Sequence, residues 1–317
     1  MLSHLLRRLL FAAFLVFAVS SASLVVTRLA PGDYATGALG FDATEEARAQ
    51  MRARYGLDRP LAAQYWEWLG RAVRLDFGRS LAYDRPVMDL IPERAANTGI
   101  LALSALFLAT IVGLPLGILT GTYRAGALPS TVRAVSVLLL SMPPLLTSLF
   151  LVFLAARTGW LPIGGMRSID TTSGGGAALD LLRHMVVPVL ALAMPLTAMF
   201  ERLQAQAISE IVDQPYVLAT LARGVPRARV IWRDALKAAL RPIASIYGIV
   251  VGTLLSGSFA VEIITSWPGL GRLMLDALRA RDVYLVAGCA AAGSVFLAAG
   301  TLLSDAALAV VDPRSTE

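Results

Sequence analysis

Six stretches free of charged residues limit what this chain can fold into: Leu9–Thr27, Ala95–Tyr123, Ala134–Ala156, Met185–Phe200, Pro242–Val261 and Val283–Ser304. A helix needs about 18 or more apolar residues to cross a bilayer, and five of the six runs are that long. Met185–Phe200 is shorter and spans only with help from Leu181, Leu182 or residues beyond Glu201. Charged residues make up 16% of the 317, where a soluble domain carries about a quarter. The pattern predicts an all-α, polytopic membrane protein with six transmembrane helices. The first run follows "HLLRR" and exceeds the apolar core of a cleaved signal, about 7–15 residues. It reads as a retained anchor.

Charge sets the expected orientation. Arg7 and Arg8 precede the first run, and Arg124 and Arg133 flank the loop between the second and third. From Arg202 to Arg241 there are seven basic residues against three acidic ones. The stretch 31–94 is nearly neutral, with nine Arg against ten Asp plus Glu. Cytoplasmic loops collect Lys and Arg, so both termini and residues 202–241 are expected in the cytoplasm and 31–94 outside. The net charge of +6 is thereby assigned to inner loops, with no nucleic-acid partner. Three parts follow: residues 1–30, a tail and first helix; 31–94, an external subdomain; and 95–317, a five-helix core with a basic segment at 210–242.

Local signals fill in the parts. Thr44 is an expected N-cap and Gly56 an expected helix stop around "EEARAQMRARY". Trp66 and Trp68, in "LAAQYWEWLGRAV", are expected at headgroup level. "DTTSGGGAALD" reads as a flexible Gly-rich piece. Pro115, Pro143, Pro144, Pro188 and Pro195 lie inside apolar runs and predict kinked helices.

Enzymatic chemistry has little footing. Lys237, the only lysine, does not follow a GxxxxG pattern, so there is no P-loop. His4 and His184 fall on opposite sides of the predicted membrane and cannot share a metal ion. A GxSxG elbow is missing too, and the apolar runs hold no acid. No catalytic residue, metal or cofactor is expected.

The segment "YVLATLARGVPRARVIWRDALKAALRP" breaks the oily pattern. Tyr216–Arg223 reads as a short helix ended by Gly224, which can take the left-handed conformation. Pro226 suits the first turn of a second helix. At about 100° per residue, Arg229, Arg233, Lys237 and Arg241 share one arc, and Ile231, Trp232, Ala235, Leu236, Ala238 and Ala239 the other. Val230 and Leu240 are exceptions. The second helix suits either a lipid interface or a protein partner. The first, apolar at Val217, Leu218 and Leu221, suits the groove of another protein.

These residues carry a resemblance. "EIVDQPYVLATLARGVPRARVIWRDALKAALRPI" resembles the cytoplasmic coupling segment of permease subunits of dipeptide/oligopeptide/nickel-type ABC importers. "SGSFAVEIITSWPGLGRLMLDALRARDVYLVAG", "YGLDRPLAAQYWEWLGRAVRLDFGRSL" and "RLAPGD" resemble further family stretches in the same order. Departures include Pro215 for a common Asp, Ala205 for a common Arg, and Leu221 and Arg223 for Arg and Lys before the glycine.

The resemblance implies a type I ABC importer permease fold in the bacterial cytoplasmic membrane. Its implied partners are a homologous second permease subunit, two ABC ATPase subunits and an external solute-binding protein that delivers peptides or a related solute. It assigns ATPase coupling to Glu210, Tyr216, Val217, Ala219, Thr220, Ala222, Arg223, Gly224, Val225 and Arg227. Glu262, Trp267, Pro268, Gly269 and Gly271 are expected at an outer turn, either lining the pathway or packing a turn. ATP hydrolysis would reside in the separate ATPases. A channel or carrier independent of any ATPase is the alternative.

Overall fold

The computed structural model describes residues 2–40, 43–168 and 176–311. Most of the Gly-rich stretch after Ile169 lies outside them. The described residues are mostly helical, with no strand beyond an isolated bridge between Arg79 and Pro86. Four helices are long and apolar enough to cross a membrane, or six when each of two bent pairs counts as one span.

The long helices are α1 (Leu2–Leu29), α5 (Val87–Thr122), α8 (Ala177–Val212) and α14 (Val283–Val311). Each outruns its charge-free stretch. The short fourth run sits inside α8, whose 36 residues extend roughly 54 Å at 1.5 Å per residue. Pro188 and Pro195 stay within α8 without ending it.

The third run is not a straight span. It divides into α6 (Ala127–Leu140) and α7 (Pro144–Thr158), bent by 104°. Pro143 and Pro144 cause the break, since neither has an N–H to continue the ladder. Pro144 opens α7, and Ser141 N–H closes α6 on the Val137 and Leu138 carbonyls. Within α12 (Arg241–Ile264), Arg241–Gly252 and Gly257–Ile264 bend by 51°.

The chain divides into two compact units. One comprises Met1–Thr98 and Pro268–Ala298, the other Gly99–Trp267 and Ala299–Glu317. In the first, α2 (Tyr34–Leu39), α3 (Glu45–Tyr55) and α4 (Leu61–Ala72) follow α1, and α13 (Leu270–Arg279) leads to α14. Thr44 caps α3 by accepting from Ala47 N–H, and Gly56 ends it at φ +64°. Asp33 caps α2 and pairs with Arg52 at 2.6 Å. Burial alone would raise the Asp33 carboxyl, but bonds from Arg52, Thr36 N–H and the Thr36 hydroxyl outweigh it and hold it below 3.8. Trp68 and Trp66 differ in exposure. Trp68 is fully buried with Leu24, Phe77 and Leu285, while Trp66 is 67% exposed. Two residues, about 200° around α4, put them on opposite faces.

In the second unit, α8 packs against α6, α7 and α12, over a core that includes Leu101, Leu192, Phe200, Val261 and Trp267. Gly113, Gly117 and Gly121 line the face of α5 toward α8. A Cβ at these positions would lie 2.8, 2.5 and 2.5 Å from the carbonyl oxygens of Thr197, Glu201 and Ala205. Small residues every fourth position let two membrane helices meet backbone to backbone.

Candidate functional site

The basic segment starts where α8 ends. Glu210 is exposed in the last turn of α8 and accepts from Gln206 Nε2 at 3.1 Å. Pro215 opens α9 (Pro215–Ala222) at the first helical position, where a missing N–H costs nothing. This eight-residue helix buries one apolar side chain and presents others. Val217 is 1% exposed, whereas Tyr216 is 50% and Leu218 51% exposed. Ala219, Ala222 and Arg223 are exposed as well. Thr220 donates to the Tyr216 carbonyl at 2.8 Å and accepts from Arg223 at 3.0 Å.

Gly224 has φ +82°, and its N–H donates to the Leu221 carbonyl at 2.9 Å. No atom of the chain lies within 4 Å of where its Cβ would stand. The turn, rather than a close neighbour in this chain, calls for glycine. After half-buried Val225, Pro226 caps α10 (Arg227–Arg229).

Charged side chains hold this end of the unit together. Arg124 pairs with Asp213 at 2.6 Å and donates to the Ser209 carbonyl. Arg133 donates to the Arg124 carbonyl at 2.7 Å. Arg227 donates to the Thr122 carbonyl at 3.3 Å, with its guanidinium 5.8 Å from the Tyr123 ring centre. The end of α5 therefore braces the turn between α9 and α10, and Arg124 ties the loop after α5 to the end of α8.

The helix that follows keeps much of the expected wheel: Arg229 and Arg241 are exposed, and the side chains of Arg233 and Lys237 lie outside the described residues. Val230–Ala235 forms a π-helical turn leading to α11 (Leu236–Ala239). Its i→i+5 bonding widens the turn, so single positions shift from a count at about 100° per residue. Val230, the exception on the wheel, is fully buried, and Ile231, Ala235 and Ala239 pack on Ile118, Ala207 and Ile208. Trp232, expected on the apolar arc, is 56% exposed.

The residues expected at an outer turn divide between the units. Glu262 and Trp267 belong to the second and are fully buried. Trp267 N–H donates to the Glu262 carbonyl at 2.9 Å, across Ser266 at φ +52°. In the same unit the Thr265 carbonyl accepts from Gly165 N–H at 2.8 Å. Pro268, Gly269 and Gly271 belong to the first unit. There Asn97 donates to the Pro268 carbonyl, Gly269 caps α13, and Leu270 N–H donates to Thr98 Oγ1 at 2.7 Å.

Sequence reasoning passed over two features of the second unit. Thr110 and Tyr247 hydroxyls meet at 2.6 Å beside a cavity of about 530 Å³, lined also by Leu103, Leu106 and Phe107. Glu201 is fully buried, and Thr120 donates to it. A polar residue within an apolar run was the available signal for Thr110, Thr120 and Tyr247.

Residues 113–317 match the family described as binding-protein-dependent transport system inner membrane component. Residues 1–102 match the N-terminal family of the same membrane components.

The chain belongs to this family. It is a multi-pass inner-membrane permease. An oligopeptide transport system permease protein, AppB, of Bacillus subtilis is 30% identical over 316 residues, 99% of each chain. A putative peptide permease protein of Brucella suis is 31% identical over 318 residues, again 99% of each. The dipeptide transport system permease protein DppB of Escherichia coli K12 is 30% identical over 336 residues, covering 99% of this permease and 98% of the relative.

Proposed function

We propose that this permease forms part of the translocation pathway of an ATP-driven importer for peptides or a related solute. It works beside a homologous second permease, with two ABC ATPases in the cytoplasm and an external solute-binding protein. The permease itself hydrolyses no ATP. Both termini and α9 face the cytoplasm, and residues 31–94 face outward, in keeping with the basic loops. Peptide relatives of matching length support the substrate class.

The exposed apolar face of α9 carries the coupling reading. Tyr216 and Leu218 are large, apolar and half exposed, on a helix that follows α8 and leads to a turn bonded to the end of α5. Docked in an ATPase groove, α9 would transmit closure of the ATPase dimer to α8 and to α12 beyond α11. Glu210, Arg223 and Arg227 would border the contact, with Ala219, Thr220, Ala222, Gly224 and Val225 shaping it. On the outer side, Glu262 and Trp267 of the second unit, and Pro268, Gly269 and Gly271 of the first, would each contribute to the pathway or its outer gate. The cavity beside Thr110 and Tyr247 would contribute to the pathway wall.

The test is reconstitution. The assembled complex should hydrolyse ATP faster when loaded binding protein is added, while the lone permease should show none. Hydrolysis by the verified lone chain, or no stable association with an ATPase, would refute the reading.

A further inference from the structure

The first unit contains an arginine-rich pocket that transport does not explain. It has a volume of about 240 Å³, and Arg54, Arg59, Arg71 and Arg79 line it with Gln64 and Glu67. Glu67 is shared between Arg59 at 2.6 Å and Arg71 at 3.1 Å, and Arg79 pairs with Asp84 at 3.3 Å. Four guanidinium groups thus face two carboxylates, an excess of +2. Arg71 also retains a buried Nε–H with no acceptor. Planar guanidinium groups in this number suit the oxygens of a phosphate. The volume falls below the roughly 300–1,000 Å³ of sites that enclose drug-sized ligands.

The surroundings indicate where that phosphate comes from. The charge-free part of α1, Leu9–Thr27, has 19 residues, about 29 Å against a hydrocarbon core of about 30 Å. The last turn of α1 therefore reaches headgroup level. Arg28, in that turn, donates to Gln64, which lines the pocket. Tyr65 donates to Ser21 Oγ, about 12 Å back along α1 from Leu29. Helix α4 therefore lies against the end of a span. It exposes Trp66, a residue type that settles at headgroup depth.

We propose that this pocket binds the phosphate of an anionic phospholipid headgroup, with Arg59 and Arg71 as the principal ligands and Trp66 seated among the neighbouring lipids. The outward topology proposed above decides only which leaflet supplies the lipid; the site does not depend on the transported solute.

Native mass spectrometry of the full-length permease with its co-purifying subunits tests this, with phosphatidylglycerol, phosphatidylcholine and inorganic phosphate as separate probes. Phosphatidylglycerol should be retained in preference to phosphatidylcholine. The Arg59→Ala/Arg71→Ala variant should lose affinity by roughly fivefold per arginine. Equal retention by wild type and variant would overturn the proposal. Inorganic phosphate displacing the lipid at similar concentration would also overturn it, making the site one for a free anion. So would a variant that retains lipid but loses stimulation by the binding protein, which would make the pocket a protein-docking face. Glu67→Gln keeps both arginines, removes the carboxylate between them and guards against misfolding of the double variant. It should bind phosphatidylglycerol several-fold more tightly, and unchanged or weaker binding counts against the site.

Discussion

Gly224 and Gly117 are needed for opposite reasons, and substitutions separate them. Gly224 stands in open space at φ +82°, so a Cβ meets nothing but a β-branched residue is strained by about 1–3 kcal/mol. Gly224→Val should reach the membrane at normal levels, with uptake impaired and ATPase co-purification weakened. Wild-type uptake with intact coupling would remove the lever role of α9. Gly126 shares the constraint at φ +125°, so the neutral control is Gly293→Ala, where a Cβ meets nothing within 4 Å. Gly117, by contrast, is set by contact: its Cβ would press on the Glu201 carbonyl. Gly117→Ala should cost about 1–3 kcal/mol through overpacking, lowering the melting temperature of the purified permease. A melting temperature equal to that of Gly293→Ala would show that the helices part without cost.

At the scale of one element, α9 has a buried side and an exposed side. Val217 anchors it to the unit, and Tyr216 and Leu218 look outward. Leu218→Glu should leave thermal stability within about 0.5 kcal/mol of wild type, as exposed sites do, yet reduce ATPase co-purification. Val217→Asp should do the reverse first, destabilising the chain by burying an unpaired carboxylate. If Leu218→Glu binds the ATPase normally, the exposed face is not the docking face. The break and restart of this element were legible in Gly224 and Pro226, because proline and glycine act on their own backbone. The apolar face of the next helix was legible at Ile231, Ala235 and Ala239, but the exposure of Trp232 was not, because the π-helical turn at Val230–Ala235 changes the angle per residue without any proline or glycine to announce it.

At the scale of the whole molecule, the open prediction is orientation. Cysteine substitution at Ala49, exposed on α3, and at Thr220 on α9 reports the two sides. In intact cells an impermeant thiol reagent should label the first and not the second; the opposite pattern would invert the topology and place α9 outside. The endogenous Cys289 is buried and should give little background.

Local sequence was enough for the membrane class, the location of the apolar helices and the break around Gly224. These follow from local quantities: the length of an apolar run against the thickness of a bilayer, and the backbone freedom of single residues. Tertiary structure alone decided the full burial of Glu262 and of Glu201 beside Thr120. It also decided the inward turn of Trp68 and the gathering of arginines from α3, α4 and residue 79 around one pocket. Each depends on neighbours far away in the chain, and a hydropathy pattern carries no record of which distant side chains will meet.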